Sequence, residues 1–458
     1  MYFKSFLIKH FLQIKNGGIN IFLKKLMSLF YLILQLPIYL ISIPIFILIT
    51  LIKPWYLIRW KVLYSSRIGH FALETELYCC ERDANINFPK QKYKDFFYLS
   101  KVISNKTLEK MWRRSLTILP SWLLKPIHKI SNFFYSLLGK KNIHEINSPS
   151  RSDRDIHNLF EKSNTHISFT ENEEIKGKKT LEKFGLPKDA KFVCLIVRDR
   201  GYLSRNNEYE NSARWDYHNY RNGDIDKYVL ASEELASRGY YVFRVGTHVE
   251  KPLKSKNIKI IDYVNSELRG DFMDIYLGAK CSFCVSTATG FDGIPVMFRK
   301  PIASIVVPIG SILTDSKKNL SLTKHHINKL TKKKLSISEI FLSNVALSYR
   351  TEEFKNNNVV LQENTPEEIR DLVIEMDERI NKHWKETDED ILLQENFWSI
   401  FKKNMGVNLH QKGNEKIKEN FWSIFKTNMG VNLHQKENEK IKEKFSAKYL
   451  RDNKDWLN

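Results

Sequence analysis

Between residues 191 and 310, five short runs rich in β-branched and aromatic residues (192–197, 239–245, 258–263, 281–286 and 301–307) alternate with segments long enough to hold helices. Few folds are open to such a chain. Strands that alternate with helical stretches form a parallel sheet with crossover helices, and ligands of such sheets bind outside the carboxyl ends of the strands. Three of those ends carry residues suited to a phosphate: Arg198, Asp199 and Arg200 just after the first run, Arg244 and Gly246 about the end of the second, and Ser286, Thr287, Thr289 and Gly290 about the end of the fourth. Together they predict a nucleotide-diphosphate site. No G-x-G-x-x-G or P-loop pattern occurs, which argues against dinucleotide oxidoreduction and NTP hydrolysis.

A chain of 458 residues predicts two or three domains. We expect a basic amino terminus with a membrane segment (1–54), an acceptor-side domain (55–180), a donor-binding Rossmann-like domain (181–385) and a carboxyl-terminal helical tail (386–458). The net charge of +21 is uneven, with 22 Lys and Arg against 7 Asp and Glu in residues 1–150. That excess is joined to the most apolar part of the chain, which favours an anionic membrane surface over nucleic acid. The five cysteines form no framework, and Cys281-x-x-Cys284 lacks the second ligand pair of a zinc site, so reduced thiols and a cytosolic setting are expected.

Residues 26–52 run twenty-seven positions without a charge, longer than the roughly 20 that a membrane-spanning helix needs. Lysines and arginines flank the run on both sides, and Pro37 and Pro44 lie inside it. Basic residues favour the cytoplasmic face, so the run predicts either a re-entrant hairpin or an ordinary span, with the catalytic body in the cytoplasm; a buried soluble helix is the remaining reading.

After this segment, residues 55–64 read as a strand, and Arg67, Gly69 and His70 turn from it into a helix that carries Glu74. A helix amino terminus at such a turn suits an anion or a sugar hydroxyl. His70 and Glu74 share a helix face, either as acceptor-binding or acid–base groups or as a surface pair at a capping turn. Residues 106–119 read as a helix capped by Ser104 or Asn105. Trp112, Trp122, Phe133, Phe134 and Tyr135, interleaved with Arg113, Arg114, Lys125 and Lys129, predict a tract lying on lipid headgroups. Residues 142–155 read as a polar loop.

In the donor domain Arg198 can fork two hydrogen bonds to a phosphate, and Asp199 is either a base or a salt-bridge partner. The long polar loop ending in Tyr217, His218, Tyr220, Arg221 and Asn222 suits a sugar or a nucleobase. Asp271 is expected to cap the helix over 272–280. Lys317, Lys318, Lys324, His325 and His326 read as a solvated face, and Asp388, Glu389 and Asp390 as a polar hinge without metal.

Residues 66–78 (SRIGHFALETELY), 197–203 (VRDRGYL), 217–224 (YHNYRNGD), 238–245 (RGYYVFRV) and 274–290 (DIYLGAKCSFCVSTATG) resemble a bacterial family of glycosyltransferases from surface-polysaccharide gene clusters. The order of motifs is more distantly similar to that of inverting fucosyltransferases, which have two Rossmann-like domains in a GT-B-like arrangement. The chain departs from their arginine motif at Ile196 and Asp199. The resemblance implies that Arg198 holds the donor diphosphate and that Ser286, Thr287, Thr289 and Gly290 form the donor-site turn. It agrees with the α/β fold read from the strand–helix alternation and implies a nucleotide-sugar donor and a lipid-linked or oligosaccharide acceptor; the absence of an acidic strand-end motif predicts no metal, no other cofactor is expected, and the apolar run with its basic flanks predicts a place at the inner membrane. Two rivals remain: a pyruvyl-type polysaccharide-modifying transferase, and a non-catalytic scaffold of an assembly complex.

Finally, residues 396–412 (NFWSIFKKNMGVNLHQK) recur almost unchanged at 420–436. Two copies are too few for a solenoid, so one copy is expected to be extra to the fold.

Overall fold

The computed structural model describes residues 2–86, 88–146, 155, 157–202, 212–312, 316, 318–411 and 444–457. The second copy of the duplication, Lys317 and much of the loops expected over 142–155 and before Asp216 fall outside them. The chain divides into two compact units: residues 1–63, 88–101 and 116–147 in the first, and residues 64–87, 102–115 and 148–458 in the second.

The first unit holds a parallel pair, β1 (Leu57–Leu63) and β2 (Tyr93–Leu99), with Leu57 opposite Tyr93. Trp60, Tyr98, Leu124, Ile127, Tyr135 and Phe46 form its core. Arg59 and Asp95, neighbours across the pair, make two hydrogen bonds of 2.7 and 2.6 Å, and the guanidinium lies 4.8 Å from the centroids of both Phe88 and Tyr93. Their side chains are only 8% and 6% exposed, so removing one leaves a buried charge without its counterion. Arg59→Ala is expected to cost about 3–5 kcal/mol in denaturant unfolding. Replacing both residues by leucine should recover most of that loss.

The amino-terminal helix Tyr2–Ile52 is two helical stretches joined across a kink at Gly18 (φ 63°), with Pro37 and Pro44 inside the second. The expected hairpin is therefore not formed, because neither proline reverses the chain. Nor is a span supported: among the described residues, no helix is long and apolar enough to cross a membrane. Part of this helix instead packs against the helix Ser121–Leu137, with the Phe46 ring edge-on to Phe134 at 5.5 Å.

The second unit is built on a seven-stranded parallel sheet ordered β11-β8-β7-β6-β3-β4-β5. Its strands are β3 (Phe192–Ile196), β4 (Tyr241–Arg244), β5 (Ile260–Ile261), β6 (Cys284–Ser286), β7 (Ile302–Ile305), β8 (Leu320–Leu322) and β11 (Lys444–Phe445), while β9 (His325–Asn328) and β10 (Val359–Gln362) form a separate antiparallel pair. β3 is buried throughout, as a central strand covered on both faces must be. Val193 and Leu195 enter one core, and Phe192, Cys194 and Ile196 the other. The chain runs outward from β3 through β4 to β5, then crosses back to place β6 on the other side of β3. The gap between β3 and β6 is thus a topological switch point, where a crevice opens at the carboxyl ends.

Several local expectations need correction. The run expected over 281–286 forms a strand only from Cys284, and Cys281, which precedes it, lies in the same core as Cys284. Asp271 is the first residue of the helix Asp271–Lys280, and its carboxylate accepts a 2.7 Å hydrogen bond from the Lys106 N–H. Asn105 caps the helix Lys106–Ser115 by accepting from the Leu108 N–H at 2.8 Å. Asp388, Glu389 and Asp390 open the helix Asp388–Gln411; Asp390 is fully buried, exchanges capping hydrogen bonds with Thr387 and pairs with Arg451. From the first repeat copy, Phe397 stacks on Trp456 at 5.9 Å and approaches Phe445 of β11 at 4.6 Å, so this copy belongs to the core.

Candidate functional site

A cavity of 630 Å³ lies in the second unit at the carboxyl ends of β3 and β6. Two close backbone contacts shape it. A Cβ on Gly69 would stand 2.9 Å from the carbonyl oxygen of Gly290, and one on Gly293 would stand 2.9 Å from the Gly69 Cα. Only glycines let the amino terminus of the helix Ile68–Asp83 lie directly on the turn after β6. That approach brings Arg67 and His70 into the cavity wall. The Arg67 side chain does not cap this helix, and the partial positive charge of the helix start lies at the cavity.

The turn after β6 is held from within. Asp292 accepts hydrogen bonds from the Ser286 hydroxyl (2.6 Å), the Thr289 N–H (3.0 Å) and the Thr289 hydroxyl (3.3 Å). Burial pushes the Asp292 carboxyl up to about 6, opposed by those bonds. Ser286 and Thr287 are buried (0% and 2% exposed) and do not line the cavity, whereas Thr289 and Gly290 do. Thr287 accepts the Arg198 N–H at 2.8 Å and so fixes the start of the β3 loop. Asp292 was not anticipated, although Thr-x-x-Asp is a capping pattern that could have pointed to it.

The segment carrying Arg221 is clamped on the same crevice. The Gly223 N–H donates to the Arg198 carbonyl at 2.9 Å, and a Cβ on Gly223 would stand 2.9 Å from the Val197 side chain. The Tyr220 N–H donates to Thr351 at 3.2 Å, the Asp224 N–H to Glu363 at 2.9 Å, and the Lys324 ammonium to the carbonyls of Tyr220 (3.2 Å) and Asn222. Lys324 and His326 are thus buried rather than solvated; burial lowers their pKa values to about 8 and about 4. His325 pairs with Glu368 at 2.8 Å.

Arg67, Arg198 and Arg221 converge on the cavity with His218. Burial and then Arg221 lower the Arg198 pKa to about 10. Among the described residues, the Nε atoms of Arg198 and Arg221 are both buried without a hydrogen-bond partner. Arg221 donates to His218 Nδ1 at 3.2 Å; since a guanidinium only donates, the neutral imidazole carries its proton on Nε2. Burial, followed by Arg221, Arg198, Arg67 and Arg350, holds His218 down at about 3, so it stays neutral. His70, also in the cavity wall, has its Nδ1 2.6 Å from Glu74. An ionised carboxylate only accepts, so Nδ1 is the protonated nitrogen and Nε2 the basic one.

Other expected residues lie elsewhere. The two carboxylate oxygens of Asp199 accept from the N–H groups of Gly201 and Glu250, at 2.9 Å each, and from Arg244 at 3.5 Å. Asp199 borders the cavity but is engaged as a loop anchor. Arg244 is fully buried and bound to the Lys251 carbonyl, so it cannot reach a ligand, while Gly246 lines the cavity. Tyr217, Tyr220 and Asn222 do not line it: Tyr217 lies under Arg350 at 5.2 Å, and Tyr220 stacks on Phe354 at 5.7 Å. Arg200 pairs with Asp216 at 2.8 Å on the surface. His248, Asp274 and Tyr349 line the cavity without having been anticipated.

A second polar cluster brings Glu76, Cys80 and His166 together, with ligand-type atoms within 4.8 Å of one another. The Arg299 guanidinium fills it, 2.5 Å from Glu76 and 3.7 Å from Cys80, which makes it an ion-pair network rather than a cation site. Hydrogen bonds to Cys80, then Glu76 and Asp83, outweigh burial and raise the His166 pKa to about 10. A raised folded-state value stabilises fully below the unfolded pKa of about 6.5 and is lost as pH rises through about 10. The melting-temperature gap between the wild type and His166→Gln is therefore expected to narrow steadily from about pH 7 to pH 10.

No family model matches the chain, and no curated protein matches it. Among solved structures it is similar to the ADP-heptose LPS heptosyltransferase II of E. coli, at 11% identity over 58% of this chain and 90% of that one, with a TM-score of 0.36. It is also similar to the glycosyl transferase family 9 protein of Veillonella parvula, at 10% identity over 59% and 86%, with a TM-score of 0.37. Likeness this remote decides nothing about the chemistry, which rests on the site itself.

Proposed function

We propose that the chain is a glycosyltransferase that moves a sugar from a nucleotide-sugar donor to a lipid-linked or growing surface glycan, with inversion at the anomeric carbon. One observation carries this reading: two arginines meet at the switch point of a parallel sheet, each with a buried, unpartnered Nε. Buried guanidinium N–H groups without an acceptor are costly, and a diphosphate supplies the acceptor atoms they lack together with negative charge. Arg198 and Arg221 bind the donor diphosphate, with the helix start at Arg67 to Gly69 beside them, and His218 donates its Nε2 proton to a ligand oxygen. The positive charge that a divalent cation would bring is already in place, so the reaction runs without metal or other cofactor.

In the chemical step an acceptor hydroxyl oxygen bonds to the anomeric carbon while the bond from that carbon to the diphosphate oxygen breaks. The electron pair leaves with the nucleoside diphosphate, whose charge Arg198 and Arg221 stabilise. The hydroxyl proton goes to His70 Nε2, with Glu74 stabilising the imidazolium. The His70–Glu74 pair takes the role of base, because Asp199 is bound to backbone N–H groups. The GT-B-like arrangement, the inner-membrane location and a catalytic unit facing the cytoplasm belong to the same proposal.

The test is turnover. The full chain, incubated with a panel of nucleotide sugars and a lipid extract, should release nucleoside diphosphate from one donor class and should continue to do so in EDTA. Release of nothing from any donor, by a folded chain, would sink the reading in favour of a pyruvyl-type transferase or a scaffold.

A further inference from the structure

We propose that the first unit docks on an anionic lipid bilayer through a two-helix surface that lies among the headgroups and upper acyl chains without crossing them. The inference rests on that unit alone and stands or falls independently of the donor site.

The helix Tyr2–Ile52 carries Leu36, Leu40, Ile43, Ile47 and Leu51 exposed at 57%, 59%, 43%, 52% and 64%, at spacings of four, three, four and four residues. Such spacing draws an apolar stripe along a helix, and Ile41 and Leu48, exposed at 62% and 60%, widen it. Ser42 and Phe46, one turn apart, form its buried side. The helix Ser121–Leu137, packed beside it, exposes Trp122, Phe133 and Leu137 at 63%, 67% and 70%. A patch of large side chains on this scale needs a non-aqueous cover.

Charge selects the cover. Residues 1–63, 88–101 and 116–147 contain 16 Lys and Arg (8, 4 and 4) and 2 acidic residues, Asp95 and Glu145. Asp95 is already engaged by Arg59, and Glu145 lies 3.5 Å from His128. Lys125, Lys129, Lys140 and Lys141 are exposed along and just beyond the helix Ser121–Leu137, with the Lys129 ammonium 5.8 Å from the Tyr39 ring of the neighbouring helix. A second copy of this unit would bring like charge against like. An anionic bilayer offers phosphates to the lysines and acyl chains to the stripe, which is the pattern of an interfacial helix.

The experiment is co-sedimentation of the full chain with vesicles of phosphatidylcholine alone and of phosphatidylcholine with phosphatidylglycerol, with sedimentation velocity run in parallel. The proposal expects at least about tenfold tighter binding to the anionic vesicles, weakened but not abolished by high salt. Trp122→Ser with Phe133→Ser and Leu137→Ser should lose about tenfold in binding, and Lys125→Glu with Lys129→Glu should remove the preference for anionic lipid. All these positions are exposed, so the melting temperature should hold in each variant, and nucleotide binding in the second unit should be unchanged. Equal binding to both vesicle types, wild-type binding by the apolar variant, or concentration-dependent self-association without lipid binding would overturn the proposal.

Discussion

Arg198→Ala is expected to weaken binding of a nucleoside diphosphate about 10–100-fold, the loss of one charge-assisted hydrogen-bonding group worth about 1.5–3 kcal/mol. Arg221→Ala should act similarly. The double variant should fall short of the product of the two effects, because Arg221 disfavours the charged form of Arg198 and the two arginines share one ligand. Lysine at 198 should not restore binding, since an ammonium cannot reproduce the planar fork. Stability should move the other way. With its Nε buried and unpartnered, Arg198 is a cost to the empty protein, so Arg198→Met should leave the melting temperature unchanged or raised. A loss of folding together with binding would mean that the arginine is structural.

His70→Ala is expected to lower turnover about 10²–10⁴-fold while leaving nucleotide affinity in place, the signature of a group that moves a proton in the transition state. Glu74→Gln should cost less, since the imidazole remains and only the choice of protonated nitrogen and the stabilisation of its cation are disturbed. Asp199→Asn supplies the contrast. Its carboxylate is bound to the N–H groups of Gly201 and Glu250, so substitution should loosen the β3 loop and lower donor affinity and turnover together. If turnover collapses in Asp199→Asn and persists in His70→Ala, the assignment of the base is reversed.

The sheet was legible because its signal is local. β3 reads Phe-Val-Cys-Leu-Ile, a run that only a strand covered on both faces tolerates, and β4, β6 and β7 carry shorter versions of it. β8 was missed because its three residues follow a lysine-rich stretch that reads as surface, and β11 because its two residues come more than a hundred positions later. Within the site, the glycines did their work invisibly. Gly69 and Gly290 read as two separate turns, and only their contact explains why a helix from early in the chain reaches the end of β6. Arg198 and Arg244 look alike in sequence, each an arginine at a strand end; one is bound to Lys251 in the interior and the other lines the cavity. Asp199 acts on both; their difference lies in the other charge the fold places beside each, Asp262 for Arg244 and Arg221 for Arg198, and no spacing rule reports that. The apolar amino terminus shows the same limit, since a charge-free run long enough to cross a bilayer lies partly against the helix Ser121–Leu137.

The central claim is that the cavity binds a nucleoside diphosphate through Arg198 and Arg221, and a thermal-shift panel of the full chain tests it most directly. UDP, GDP, dTDP and CMP are added in turn, with and without Mg²⁺, to the wild type and to Arg198→Ala. A ligand present at about 100 times its Kd adds about 2.7 kcal/mol to the stability of the folded state, which is a readily measured rise in melting temperature. The account predicts a rise with one diphosphate, indifferent to Mg²⁺ and lost in Arg198→Ala. No rise with any of the four, or an equal rise in the variant, would contradict it.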